Sequence, residues 1–136
     1  MRILYFSQFY KPENIAPAFR ATDHSRLWAE AGHDVTVFTG WPNYPTGKLF
    51  DGYDMVRLGQ EDIDGVRVFR SASRIQPNTS FKKRIECGAS FIVGGLKNLG
   101  AKSPVGDGYD VGLVSCGTVV SAWLGVHYAK EHGLPL

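Results

Sequence analysis

This sequence has few cysteines, no cluster of histidines and little net charge, and each of these features argues against a class of protein. The two cysteines, Cys87 and Cys116, form no Cys-x-x-Cys pair, and the four histidines lack the spacing of a zinc site. We therefore predict no metal site, and we expect both cysteines to be buried free thiols in a reducing cytosol. With 15 Lys or Arg against 13 Asp or Glu, the net charge of +2 does not indicate nucleic-acid binding.

Long hydrophobic runs are missing as well. The longest candidate, residues 87–96, includes three glycines among ten residues, whereas a membrane-spanning helix needs about 18 apolar residues. The apolar start is followed at once by Lys11, Pro12 and Glu13, which is unlike a signal peptide. We predict a cytoplasmic chain, with peripheral contact at the inner face of the cytoplasmic membrane left open. No Gly-x-Gly-x-x-Gly follows the first apolar run, so the dinucleotide-binding fingerprint is absent too.

The first 40 residues predict a strand–helix–strand unit. A continuous apolar run predicts a buried parallel strand over residues 2–7. A helix is predicted from Pro17 to about Ala31 and ended by Gly32, and a second strand over residues 34–39. The residues at helical spacing that we expect to face the sheet are His24, Leu27, Trp28 and Ala31.

The rest of the chain continues the alternation of strands and helices. Two strands, 55–60 and 66–70, are predicted around a turn at residues 62–65, and a strand over 110–115 precedes a helix over 118–131. Between them a helix over 81–99, capped by Ser80, has a predicted buried stripe of Phe81, Ile85, Ala89, Ile92, Leu96 and Leu99. We predict a single α/β domain over residues 1–136: a Rossmann-like open, mainly parallel sheet with helices on both faces and a β-hairpin insertion.

Open sheets of this class bind ligands at the carboxyl ends of their strands, which points to three loops. The first offers polar groups just before the positive end of a helix, an arrangement that favours phosphate. Its lone carboxylate, Glu13, is either a general base or a solvated loop charge. The candidate cleft residues of this loop are Gln8, Tyr10, Glu13, Asn14 and Ala16.

The second and third loops follow the next predicted parallel strands. Aromatic side chains of the long loop over residues 40–53 either contact sugar rings and apolar tails or anchor the loop to the core. Gly117 permits close approach of a ligand, and Thr118 is placed to cap the last helix. The candidates from these loops are Pro42, Asn43, Tyr44, Cys116, Gly117 and Thr118.

Three successive cations open the helix predicted over residues 81–99. Phe81, Lys82, Lys83 and Arg84 form the start of an amphipathic helix that is a candidate for contact with an anionic membrane. The alternative is a solvated helix face whose apolar stripe is buried in the domain.

Taken together, the order of these motifs resembles a known family. Tyr10-Lys11-Pro12-Glu13, Gly32-His33-Asp34-Val35-Thr36-Val37 and Pro42-Asn43-Tyr44-Pro45 are similar to the acceptor-side domain of family-4 GT-B glycosyltransferases that build bacterial surface polysaccharides. The strand that begins at Asp110 and its following helix continue the likeness, which covers essentially the whole chain.

The resemblance implies the N-terminal, acceptor-binding portion of a retaining glycosyltransferase. Such enzymes transfer a sugar from a nucleotide-sugar to a glycan or lipid-linked acceptor between two Rossmann-like domains, without a metal and without a cofactor beyond the donor substrate. The resemblance assigns no catalytic residue to this chain. Ala16-Pro17-Ala18 stands where many relatives carry glycines near the donor diphosphate. Because the donor-binding half is not in this truncated stretch, we expect the isolated chain to be inactive. The alternative is a non-catalytic subunit that pairs with a separate donor-binding chain.

Overall fold

The fold is an open α/β sheet with helices on both faces, as the sequence predicts. A computed structural model describes residues 1–100 and 102–136. The sheet order is β3-β4-β2-β1-β5; β3 pairs antiparallel with β4, and the other three pairings are parallel. In chain order the elements are β1 (Arg2–Phe6), α1 (Ala16–Glu30), β2 (Asp34–Gly40), β3 (Leu58–Ile63), β4 (Val66–Ser71), α2 (Phe81–Asn98), β5 (Val111–Val114) and α3 (Val119–His132).

The β1–α1–β2 unit forms as predicted, but α1 turns a different face to the sheet. Gly32 has a φ of 95°, the left-handed conformation that ends the helix. His24, Leu27 and Ala31 are exposed, so the predicted inner face is wrong for them. Small side chains let the helix approach the sheet closely, and a stripe drawn mainly through large apolar side chains does not include them. The buried residues are Ala18, Ala21 and Ser25, with Trp28 half-buried beside them.

The β3–β4 hairpin has a tighter turn than predicted. Ile63 pairs with Val66, so the turn is Asp64-Gly65, with φ values of 52° and 79°. Positive φ at both positions is the two-residue hairpin turn that Asp-Gly favours. The predicted start of β3 at residue 55 is three residues early, because the carbonyl of Val56 accepts the indole N–H of Trp41 and belongs to the preceding loop. β4 also pairs with β2, so the hairpin is built into the sheet.

Helices α2 and α3 cover the face of the sheet opposite α1. Phe91, Leu124 and Tyr128 pack there against Leu4, Phe6, Phe38 and Phe69 of the strands. On α3, Thr118 accepts the N–H of Ser121, as predicted, and Gly133 closes the helix with a φ of 61°.

The predicted buried stripe of α2 is largely wrong. Ile92 and Leu99 are half-buried, but Phe81, Ile85, Ala89 and Leu96 are exposed. The face in contact with the domain consists instead of Gly88, Phe91, Gly95 and Asn98. Glycine lets α2 approach α3 and the sheet closely, so the apolar stripe is left on the outside. Among the described residues, no helix combines the length and the apolar character that crossing a bilayer requires.

Candidate functional site

A cavity of about 180 Å³ opens where the parallel strands end. Gln8 and Phe9 follow β1, Gly40 ends β2, and Gly117 and Thr118 follow β5, and all of them line it. Residues after β4 and on the first turns of α2 complete the wall. This is the edge at which open α/β sheets bind ligands, so the location follows from the topology.

Five of the eleven predicted cleft residues come together in this cavity. They are Gln8, Asn43, Tyr44, Gly117 and Thr118, drawn from all three predicted loops. The hydroxyl of Thr118 donates to Oε1 of Gln8 at 3.0 Å, which links the first and third loops. The ring of Tyr44 packs edge-on against Phe9 at 5.8 Å between centroids, which links the first and second. Whether these residues bind a ligand stays a prediction.

The carboxylate of Glu13 is buried and hydrogen-bonded to the backbone of two loops. Its side chain is only 2% exposed, so the interpretation as a solvated loop charge is wrong. Oε1 accepts the backbone N–H groups of Asn43 at 3.0 Å and Tyr44 at 3.1 Å, and Oε2 accepts that of Tyr10 at 3.2 Å. Glu13 therefore fixes the second loop to the first and sets the position of Tyr44 in the cavity wall.

Burial raises the pKa of Glu13 above its ordinary value of 4.5, and the three backbone N–H groups and the charge of Arg70 oppose this shift in part. A raised pKa suits a proton-transfer group, but all three described hydrogen bonds of this carboxylate go to backbone N–H groups. Its geometry therefore favours a positioning role over a general base.

Arg70 holds the same two loops through their backbone carbonyls, a role that no sequence pattern indicated. Its side chain is 1% exposed, and Nε donates to Oε1 of Glu61 at 2.8 Å. Nη1 donates to the carbonyl of Gly40 at 2.9 Å, and Nη2 donates to the carbonyl of Lys11. An arginine at the end of a predicted strand is usually a surface residue, so only the fold shows that it joins two loops.

The other predicted cleft residues lie outside the cavity lining. Tyr10 is fully buried and its hydroxyl is within 2.6 Å of Ser25 Oγ, so it does not offer a hydrogen bond to a ligand. Pro42 is buried as well. Asn14 faces a separate groove, and Ala16 is exposed at the start of α1. Cys116 is exposed, which corrects the expectation that both cysteines are buried, because β5 has already ended before it.

Several lining residues were missed by the analysis of the sequence. Ser73, Arg74 and Gln76 lie in the segment that joins β4 to α2, and Cys87 lies on α2. The segment had no motif to single it out. Its position after a parallel strand is the one available signal, but the sequence pattern predicts residues 66–70 as half of a hairpin insertion, and the parallel pairing with β2 is seen only in the fold.

The predicted membrane-contact residues point in different directions. Phe81 is 77% exposed, and Lys82 is exposed beside it with Nζ 4.0 Å from Glu86. Lys83 is half-buried, and its ammonium donates to the hydroxyl of Thr79 at 3.1 Å. Arg84 lines the cavity instead, although it is exposed to solvent.

The described residues, 1–100 and 102–136, hold no cluster of three or more His, Cys, Asp or Glu side chains placed to bind a metal. Comparison of the chain with protein-family models gave no match, and comparison with curated proteins gave no significant match.

Proposed function

We propose that this chain is the acceptor-binding portion of a retaining GT-B glycosyltransferase of the bacterial surface-polysaccharide type. In this proposal the cavity at the carboxyl ends of the strands receives part of a glycan or lipid-linked acceptor. The donor-binding half, and with it the catalytic reaction, belongs to a part of the enzyme outside these 136 residues or to a separate chain.

The single observation that carries the proposal is the composition of the cavity. Tyr44 and Phe9 offer aromatic surface, and the neutral amide side chains of Asn43 and Asn78 belong to the same lining. Aromatic faces with nearby neutral hydrogen-bonding groups are the chemistry that recognises a sugar, which is apolar on its faces and polar at its edge. The hydrogen bonds of Glu13 hold this arrangement before a ligand arrives.

The start of α1 favours an acceptor over a donor role for this chain. Ile15 precedes the helix and lines the cavity, but its side chain cannot cap the helix. Pro17 in the first turn lacks an N–H group, so fewer backbone donors are free for close contact with a diphosphate than a glycine pair would allow.

Binding of purified chain to an array of bacterial surface oligosaccharides tests the proposal. We expect binding that Tyr44→Ala weakens about three- to tenfold through loss of one aromatic contact. Ser73→Trp, which fills the cavity, should abolish binding. Phe19→Ala removes an exposed aromatic side chain outside the cavity lining and is the matched control. Binding that survives Ser73→Trp, or no binding to any glycan, would contradict the proposal.

We also propose that α2 contacts the inner face of an anionic membrane. A buried apolar stripe is the main argument against this contact, but four of the six stripe residues, Phe81, Ile85, Ala89 and Leu96, are exposed. Phe81, Ile85, Val93 and Leu96 present apolar surface, and Lys82 and Lys83 lie at one end of it. Apolar surface beside cations is complementary to an anionic leaflet.

A further inference from the structure

The cavity has two arginines and no acidic side chain in its lining. Arg74 follows β4, and Arg84 lies on the first turns of α2. The chain as a whole has 15 basic and 13 acidic residues, so this concentration of positive charge is a local property. A concave site lined by one sign of charge attracts ligands of the opposite sign.

Among the described residues, neither arginine forms an ion pair with a carboxylate. In the part of the chain that the structure describes, the ion pairs of arginine involve Arg2, Arg26, Arg67 and Arg70. Nε of Arg84 donates to the amide oxygen of Asn78 at 2.8 Å, which orients the guanidinium and leaves its charge intact.

Glu86 is the carboxylate that bears on this charge, and it has other partners. Oε2 accepts a hydrogen bond from Nε2 of Gln76 at 2.9 Å, and Oε1 lies 4.0 Å from Nζ of Lys82. Glu86 is not part of the cavity lining, although it lies in the field of Arg74. The balance in and around the cavity remains positive.

Two helix N-termini add to the positive potential. Ile15, which precedes α1, and Thr118, which caps α3, both line the cavity. The N-terminal end of a helix carries a partial positive charge that favours anions. The termini thus reinforce what the two arginines already favour.

We propose that the cavity binds a phosphate group between Arg74 and Arg84. Guanidinium groups bind phosphate oxygens through paired N–H donors, and the neutral amides of Asn43 and Asn78 belong to the same cavity lining. The proposal rests on the proposed function and refines it: the ligand bears phosphate, from either a lipid-linked acceptor or a nucleotide-sugar.

Inorganic pyrophosphate is the first probe, titrated into the 136-residue chain by calorimetry. We expect one site that weakens with added salt. Arg74→Gln and Arg84→Gln should each weaken binding about tenfold, the effect of losing a charge-assisted hydrogen bond. Arg74→Lys and Arg84→Lys should restore only part of the affinity, because lysine keeps the charge but lacks the planar donor pair.

Arg26→Gln is the control, since Arg26 pairs with Glu30 on α1 and does not line the cavity. It should bind pyrophosphate like the original chain, and circular dichroism confirms that each variant is folded. Failure of the folded chain to bind pyrophosphate would overturn the proposal. So would an equal loss of affinity in Arg26→Gln.

Farnesyl diphosphate and uridine diphosphate then distinguish the two sources of phosphate. Tighter binding of farnesyl diphosphate identifies a lipid-linked acceptor. Tighter binding of uridine diphosphate identifies a nucleotide-sugar, which keeps the phosphate site but contradicts the acceptor role in the proposed function. Pyrophosphate binding without glycan binding would keep the phosphate site and remove the proposed function. Glycan binding that is unchanged in both arginine variants would support the proposed function and contradict the phosphate site.

Discussion

Replacing Glu13 with alanine would leave three backbone N–H groups in two loops, one buried and two partly buried, without an acceptor. Each such group costs about 1–3 kcal/mol, so we expect Glu13→Ala to lower the free energy of unfolding by about 3–5 kcal/mol. Glu13→Gln keeps one acceptor oxygen but turns an amide N–H toward a backbone donor, and should cost about 1–2 kcal/mol. Urea denaturation measures both, with the exposed Glu131→Gln as a control expected within about 0.5 kcal/mol.

The pH dependence of stability gives a second test at the same residue. Because burial raises the pKa of Glu13 above 4.5, the folded chain holds this proton more tightly than the unfolded chain. The stability that the proton contributes is fully present below 4.5 and is lost as pH rises through the raised pKa. Relative to Glu13→Gln, which does not titrate there, the original chain should therefore gain stability as pH falls from neutral. A difference that does not change with pH would contradict the raised pKa.

The sequence could place Glu13 in a loop at the right end of the sheet but could not assign its role. Its partners Asn43 and Tyr44 lie some 30 residues away, and Arg70 lies further still. Such contacts depend on how loops from different strands meet, which local pattern does not encode. A charged residue that is buried by distant backbone donors looks the same in sequence as an exposed one.

At the scale of elements, the glycines of α2 determine which face of the helix packs. A Cβ at Gly94 would overlap the backbone carbonyl of Ala72, and one at Gly95 would overlap the end of the Leu124 side chain. Alanine gains about 1 kcal/mol of helix propensity at either position. Since backbone yields less than a side chain, we expect Gly94→Ala to be destabilising by about 1–3 kcal/mol and Gly95→Ala to cost less.

Thermal denaturation of these variants is compared with that of Ala89→Gly. Ala89 is exposed on the same helix, so the loss of helix propensity alone should lower the stability by about 1 kcal/mol. If Gly94→Ala stabilises the chain, as it would in an unpacked helix, the observed orientation of α2 is wrong.

The existence and order of the elements were predictable, whereas the packed faces of α1 and α2 were not. Gly32, Gly133 and Thr118 end or begin helices as their chemistry predicts, because caps act within one turn. The packed face is a tertiary property. The packed face of α1 consists of small residues, and that of α2 combines two glycines with Phe91 and Asn98, so in both helices the apolar periodicity was strongest on a face that does not lie against the sheet.

At the scale of the whole molecule, the parallel sheet determines where a site can form. The predicted parallel strands placed three loops at one edge, and five residues of those loops do line the cavity. The loop after β4 completes the wall, and it was missed because β4 serves both the hairpin and the parallel sheet. Topology thus predicted where the cavity lies. Arg74, which contributes to the positive charge of the cavity, was missed because it follows β4.

Membrane contact is a property of the whole surface, and flotation with phosphatidylglycerol vesicles tests it. Lysine near an anionic surface contributes about 1 kcal/mol, so Lys82→Gln with Lys83→Gln should reduce binding on the order of tenfold. Phe81→Ser with Ile85→Ser should reduce it further by removing apolar surface, and both pairs leave Arg84 in the cavity unchanged. Lys48→Gln with Lys130→Gln removes the same charge from exposed positions elsewhere and should float normally. Equal flotation of all variants would show that α2 is not the contact, and equal binding to neutral phosphatidylcholine vesicles would show that the contact does not depend on an anionic surface.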